Sequence, residues 1–142
     1  MMTQYDDTNI FAKILRGEVP STKIFETDQL VAIMDVMPQS KGHCLVIPKT
    51  PSRNLLDADD VVLQEVIVAT ARLARAAKQA FEADGVSVMQ FNEAAGGQSV
   101  FHLHVHVIPR FEGVALRPHG SSGMADPAVL AEQAEQIRQH LV

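Results

Sequence analysis

The sequence predicts an α+β domain: a five-stranded antiparallel sheet with a short N-terminal helix, one long crossover helix and a C-terminal helix. Three observations carry this. Apolar runs at 22–26, 30–34 and 43–47 fall within about 25 residues, joined by connections too short for parallel pairing. Between 59 and 83, apolar residues recur at intervals of three and four, the period of an amphipathic helix. In Phe101-His102-Leu103-His104-Val105-His106-Val107-Ile108, histidine alternates with apolar residues, the two-residue period of a strand.

Taken in order, Asn9 or Thr8 caps a helix over 10–16, with Ile10, Phe11, Ile14 and Leu15 on one side and Gly17 as its stop. Pro20 forces an extended exit. Strands over 22–26 and 30–34 flank the polar turn Thr27-Asp28-Gln29, and Asp35 falls at the end of the second. The turn Met37-Pro38-Gln39-Ser40-Lys41-Gly42 leads into a third strand over 43–47, closed by Pro48. Asn54-Leu55-Leu56 is ambiguous. The helix over 59–83 aligns Val62, Val66, Ala69, Leu73, Ala76 and Ala80; acidic Asp57, Asp59 and Asp60 crowd its start, while Arg72, Arg75 and Lys78 lie in its second half, both suited to the helix dipole. Gly85 is expected to end it, and 86–91 reads as the fourth strand. A loop over 92–99 precedes the histidine strand, 101–108, which ends at Pro109. Gly, Pro and Ser make 111–126 a loop, followed by a helix over 127–141 with Asp126 as cap and Pro127 at its first position.

Residues 1–142 are expected to form a single domain, with a motif-bearing core over about 9–110 and a variable loop and helix over about 111–142. An apolar content of 46% allows a core without disulfides. The lone cysteine, Cys44, points to a reducing compartment; with an acidic start and no membrane-length apolar run, a cytoplasmic protein without membrane contact is expected. A formal charge of −5 argues against a nucleic acid polymer as partner and leaves room for a small anion in a local pocket.

On a regular strand His102, His104 and His106 share one face, and Phe101, Leu103, Val105 and Val107 the other. Such a row could be structural, could bind metal, or could act on phosphate. Metal binding by all three is disfavoured: His102 and His106 would stand about 13 Å apart, whereas Zn–N bonds are about 2.1 Å, although a pair with outside ligands remains open. Imidazoles near neutral pH offer a nucleophile and donors, and the preceding Gly96-Gly97-Gln98-Ser99 permits close backbone approach to anionic oxygens. Taken alone, that loop reads first as a plain turn; beside three aligned histidines the phosphate reading gains.

His102-Leu103-His104-Val105-His106-Val107-Ile108 resembles the signature of the histidine triad nucleotide-binding superfamily. Asn9-Ile10-Phe11-Ala12-Lys13-Ile14, Gly17-Glu18-Val19-Pro20, Met34-Asp35-Val36-Met37-Pro38, Gly42-His43-Cys44-Leu45-Val46-Ile47-Pro48-Lys49 and Asn92-Glu93-Ala94-Ala95-Gly96-Gly97-Gln98-Ser99-Val100-Phe101 resemble its Hint branch, in the same order. The match runs over roughly 9–110 and leaves out the tail.

The resemblance implies an HIT-like fold, a homodimer and no cofactor. It implies that His104 attacks the α-phosphorus of a nucleotide to form a nucleotidyl-histidine that water hydrolyses, and that His106 contacts the phosphate and moves the leaving group's proton. His102 and His43 would orient the nucleophile, and for His43 a purely strand-closing role stays open. Ser99, Gly97 and Val100 would lie near the phosphate, and Asn92 at the sugar and phosphate end. Asp35 would accept from the ribose hydroxyls. Ile10, Phe11, Ile14, Ile33, Val36 and Leu45 match positions around the base, although periodicity alone assigns most of them to the core. Several Hint-branch members carry a Cys-x-x-Cys that helps form a structural zinc site; here Asn9 and Ala12 stand in its place, so no metal is expected. The implied activity is hydrolysis or transfer at the α-phosphate of a purine nucleotide conjugate, AMP- or GMP-like, such as a nucleoside phosphoramidate. A dinucleoside polyphosphate hydrolase and a nucleotide-binding regulatory module with vestigial hydrolysis are the alternatives.

Overall fold

The computed structural model describes residues 4–118, 120 and 123–141, so the acidic start and the 111–126 loop fall partly outside the described residues. The chain runs α1 (Ile10–Leu15), β1 (Lys23–Glu26), β2 (Leu30–Met34), β3 (Cys44–Pro48), α2 (Asp60–Ala80), β4 (Gly85–Met89), β5 (Val105–Arg110) and α3 (Pro127–Arg138). The sheet order is β1-β2-β3-β5-β4 and every neighbouring pair is antiparallel, the α+β architecture expected. The ambiguous 54–56 stretch turns out to be a single 3-10 turn, Leu55–Asp57, capped reciprocally by Asn54 and Asp57.

Strand alternation divides the core in two. Leu30, Ala32 and Met34 of β2, Cys44 and Val46 of β3, and Val105 and Val107 of β5 pack with Val66, Leu73, Leu130 and Ile137 from α2 and α3. On the other face Val31, Ile33, Leu45 and Ile47 pack against Phe11 of α1. Each fully enclosed side chain of the Leu73 or Ile137 kind contributes about 1.5–3 kcal/mol. α1 begins where expected, with Asn9 Oδ1 accepting from the Ala12 N–H, and Asp126 caps α3 in the same way through Ala128.

Two expectations need correction. α2 ends at Ala80, well short of Gly85: Phe81 caps it and Glu82 takes the left-handed conformation, φ 50°, leaving Gly85 to open β4. The cause is packing, because the Phe81 ring is buried against Gly42 and draws the chain inward before a glycine is reached. The histidine strand is also shorter than its alternation implies. β5 starts at Val105, and the Leu103 N–H bonds to the Ser52 carbonyl instead of a neighbouring strand. Only His106 projects from the sheet, opposite Leu45 and Met89; His102 and His104 lie on the irregular approach. No helix among the described residues is long and apolar enough to cross a membrane.

Candidate active site

The turn between β2 and β3 is wound around His43. Asp35 Oδ1 accepts from the Met37 N–H at 2.8 Å, the Asp35 N–H donates to the His43 carbonyl, and the His43 N–H donates to the Ser40 carbonyl. Gly42 makes the final bend possible with φ +83°. The Gln39 N–H points at His43 Nδ1, 3.1 Å away. Nδ1 is thus an acceptor, so the neutral ring carries its proton on Nε2. That nitrogen lies 2.9 Å from His106 Nδ1 and 3.4 Å from Asp35 Oδ2. His106 accepts at Nδ1 and therefore holds its own proton on Nε2.

His104 has the reverse arrangement. Its Nδ1 is 2.7 Å from the His102 carbonyl oxygen, which can only accept. The proton is therefore on Nδ1, and Nε2 carries the lone pair. Behind it, His102 donates from Nε2 to the Pro48 carbonyl at 2.7 Å and accepts at Nδ1 from Tyr5 Oη at 2.6 Å. Burial pushes the His102 pKa below its ordinary value, in keeping with a neutral ring held by one donor and one acceptor.

His104 and His106 line a single cavity with Asp35, Ser99 and Val100. Its apolar wall comes from Ile10, Phe11 and Ile14 of α1, Ile33 of β2, Leu45 of β3, and Val36. The Phe11 ring meets His104 edge-on, with centroids 4.7 Å apart. The cavity thus combines an apolar wall with two imidazoles, an exposed serine and a buried carboxylate. Such a space suits a ligand with a flat apolar part, hydroxyls and an anionic end.

The remaining sequence candidates stand outside the lining. His43 sits behind His106 and His102 behind His104. Asn92 exchanges reciprocal side-chain hydrogen bonds with Gln90 and accepts from the Leu55 N–H. Gly97, at φ +100°, faces the Phe91 ring, which a Cβ there would approach to 3.2 Å. The structure adds Pro20, Ser21, Met34 and Met37 to the lining. It also shows a polar clamp at the 92–99 loop that sequence reasoning missed, in which Asn54 and Gln98 are buried and the Arg53–Glu93 pair is partly exposed. Glu93 accepts twice from the Arg53 guanidinium and once from Asn54, while Gln98 accepts from Asn54 and the Glu93 N–H and donates to the Arg53 and Val100 carbonyls. The only sequence signal for this clamp was polar residues at loop positions, which usually mark solvated turns.

Among the described residues, Asp35, His43 and His106 place one potential ligand atom each within 4.8 Å of one another. The His43–His106 hydrogen bond already occupies part of that space, so an ion there would have to displace its proton.

The HIT domain family model matches residues 16–113. Protein hit of Bacillus subtilis is 40% identical over 102 residues, which span 72% of this chain and 70% of that protein. Adenosine 5'-monophosphoramidase HNT1 of Saccharomyces cerevisiae is 38% identical over 105 residues, 74% of this chain and 64% of that protein. The crystal structure of a Hit-like protein involved in cell-cycle regulation from Bartonella henselae aligns with a TM-score of 0.93 at 52% identity, covering 98% of this chain and 100% of that one.

Proposed function

The chain belongs to the HIT domain family, and from that premise we propose that it is a nucleotide hydrolase acting at the α-phosphate of a purine nucleoside phosphoramidate or similar conjugate. The observation that carries this reading is the opposite protonation of His104 and His106 in a cavity whose lining also contains Asp35. A yeast relative with phosphoramidase activity supports the leaving-group class.

In the first step the His104 Nε2 lone pair attacks phosphorus, forming an N–P bond as the P–N bond to the leaving amine breaks. His106, which takes up one solvent proton when the anionic substrate binds, gives a proton from Nε2 to that amine and is left neutral. In the second step water attacks the nucleotidyl-histidine, the His104–phosphorus bond breaks, and the water's proton returns to His106. His43 supports the donor by holding His106 Nδ1, and the His102 carbonyl keeps the proton of His104 away from the attacking nitrogen. Ser99 and Val100, with Gly97, would contact phosphate oxygens; Asp35 would accept from the ribose hydroxyls; Asn92 would support the sugar end. Ile10, Phe11, Ile14, Ile33, Val36 and Leu45 would enclose the base.

The test is a panel of a fluorogenic adenosine phosphoramidate, its guanosine counterpart and diadenosine polyphosphates, with product analysis. Release of AMP or GMP from the phosphoramidates supports the proposal. Preferred cleavage of the dinucleotides would replace it with a dinucleoside polyphosphate hydrolase, and AMP binding without turnover of any substrate would make the chain a binding module.

We propose a homodimer, as the resemblance implies; the outer edge of β4, where Val88 is exposed, and exposed Ile67 on α2 support that reading. Sedimentation equilibrium at micromolar concentration should return twice the chain mass, and a monomer would refute it. The buried, unpaired Cys44 suits a cytoplasmic, reducing location, which a fluorescent fusion in cells checks.

A further inference from the structure

We infer that Tyr5 is a positioning residue for the nucleophile, acting on His104 through His102; the inference rests on the reaction proposed above. The His104 Nδ1 proton is held by a backbone carbonyl that no strand ladder fixes, because residues 101–104 precede β5. That peptide is held on its N–H side by the bond from Leu103 to the Ser52 carbonyl, and from the other side by the His102 side chain, only 1% exposed and tied at both ring nitrogens. One tie is the Pro48 carbonyl at the end of β3. The other is Tyr5, the chain's single tyrosine, whose hydroxyl reaches His102 Nδ1 at 2.6 Å with the two rings edge-on.

Tyr5 is itself fixed. Its oxygen accepts from Asn9 Nδ2 at 3.0 Å, and the Asn9 Oδ1 accepts from the Ala12 N–H as the cap of α1. One asparagine thus joins the start of the helix that supplies the apolar cavity wall to the hydroxyl that orients His102. The sequence of contacts is α1 cap, Tyr5, His102 ring, His102 carbonyl, His104 Nδ1. Each link demands one direction of donation: Asn9 to Tyr5, Tyr5 to His102, His104 to the His102 carbonyl. Losing the tyrosine hydroxyl would leave a buried acceptor on His102 unsatisfied and free the ring to turn about its remaining tie. The carbonyl that sets the nucleophile's tautomer would keep the Leu103–Ser52 bond and lose the support of the His102 ring.

The test is Tyr5→Phe, which keeps the ring and removes the hydroxyl, measured by steady-state kinetics on adenosine phosphoramidate and by the imidazole 15N spectrum of the full chain. We expect kcat to fall about tenfold with KM within about twofold, since a small misplacement of a reacting group affects the chemical step more than binding. The His104 nitrogens should move from a pure Nδ1–H pattern toward tautomer averaging, with the melting temperature lowered by a few degrees and the chain fully folded at the assay temperature. Unchanged kcat together with an unmoved His104 spectrum would overturn the inference, as would a kcat loss explained wholly by unfolding. Asn9→Asp, which retains a capping oxygen and removes the donor to Tyr5, should move the same signals in the same direction and carries the test should Tyr5→Phe fold poorly; signals unmoved there count against it. If the wild-type chain turns over none of the substrates, the proposed reaction falls separately, and the His104 spectrum alone decides the role of Tyr5.

Discussion

His104 and His106 stand with ring centroids 5.0 Å apart in opposite tautomers, one presenting a lone pair at Nε2 and the other a proton. The two rings should therefore fail differently when removed. In the proposed reaction His104→Ala deletes the attacking nitrogen and should lower kcat/KM about a thousandfold or more for every substrate. In the same proposal His106→Ala removes the proton donor, and its cost of about 10²–10⁴ should apply to basic leaving groups. A conjugate whose leaving group needs no proton should be nearly spared by His106→Ala and still be lost in His104→Ala. Equal losses in both variants across leaving groups would refute the division of labour.

Gly42 has to be glycine on two counts. Its φ of +83° lies in the left-handed region, and a Cβ there would come within 2.4 and 2.6 Å of the Phe81 ring. Gly42→Ala should destabilise the fold by about 2–4 kcal/mol, combining backbone strain with forced repacking. Gly113, at φ +74° with open space around it, is the control: Gly113→Ala should cost about 1 kcal/mol. Urea unfolding of both variants separates steric from conformational cost, and equal losses would contradict the packing argument.

Asp35 is 5% exposed and held by the Met37 N–H, so its carboxylate is oriented before any ligand arrives. If it accepts from ribose hydroxyls, Asp35→Ala should weaken AMP binding by about 1.5–3 kcal/mol, the range for a hydrogen bond to a charged group. Binding of the 2',3'-dideoxy nucleotide should change far less. Calorimetric titration of both ligands into both proteins gives the coupling, and a zero coupling would remove Asp35 from the ribose subsite.

Much of this was legible because periodicity and turn chemistry are local. The meander 22–47, the face of α2 carrying Val66 and Leu73, and the caps Asn9 and Asp126 could be read from neighbours within a few residues. Where long-range contacts decide, the local signal misleads. The alternation of 101–108 looked like one strand, yet the bonds of His102 to Pro48 and Leu103 to Ser52 hold its first half out of the sheet. Gly85 looked like a helix stop, but the burial of Phe81 ends α2 earlier. Of the candidate cavity's lining, residues such as Phe11, Asp35, His104 and His106 are named through motif resemblance and Pro20, Ser21, Met34 and Met37 are not, whereas Tyr5 and the Arg53–Glu93 clamp join segments far apart in the chain and have no local pattern.

That clamp gives a pH dependence whose sign can be worked out. Glu93 sits at φ +66°, a conformation that costs a non-glycine residue, and it is retained there by the Arg53 guanidinium and Asn54. The hydrogen bonds from Arg53 first, then Asn54, hold the Glu93 carboxyl below its ordinary 4.5. A carboxylate with a depressed folded-state pKa adds stability above the unfolded value, and that contribution is lost as pH falls through the folded one. Glu93→Gln should therefore lower the urea midpoint at pH 7, and the gap from wild type should narrow as pH drops below about 4.5. Because Gln98 links the same clamp to the Val100 carbonyl, the variant should also loosen the segment carrying Ser99, raising amide exchange there at pH 7. A gap as wide at pH 3.5 as at pH 7 would show that Glu93 acts through packing and not through its charge.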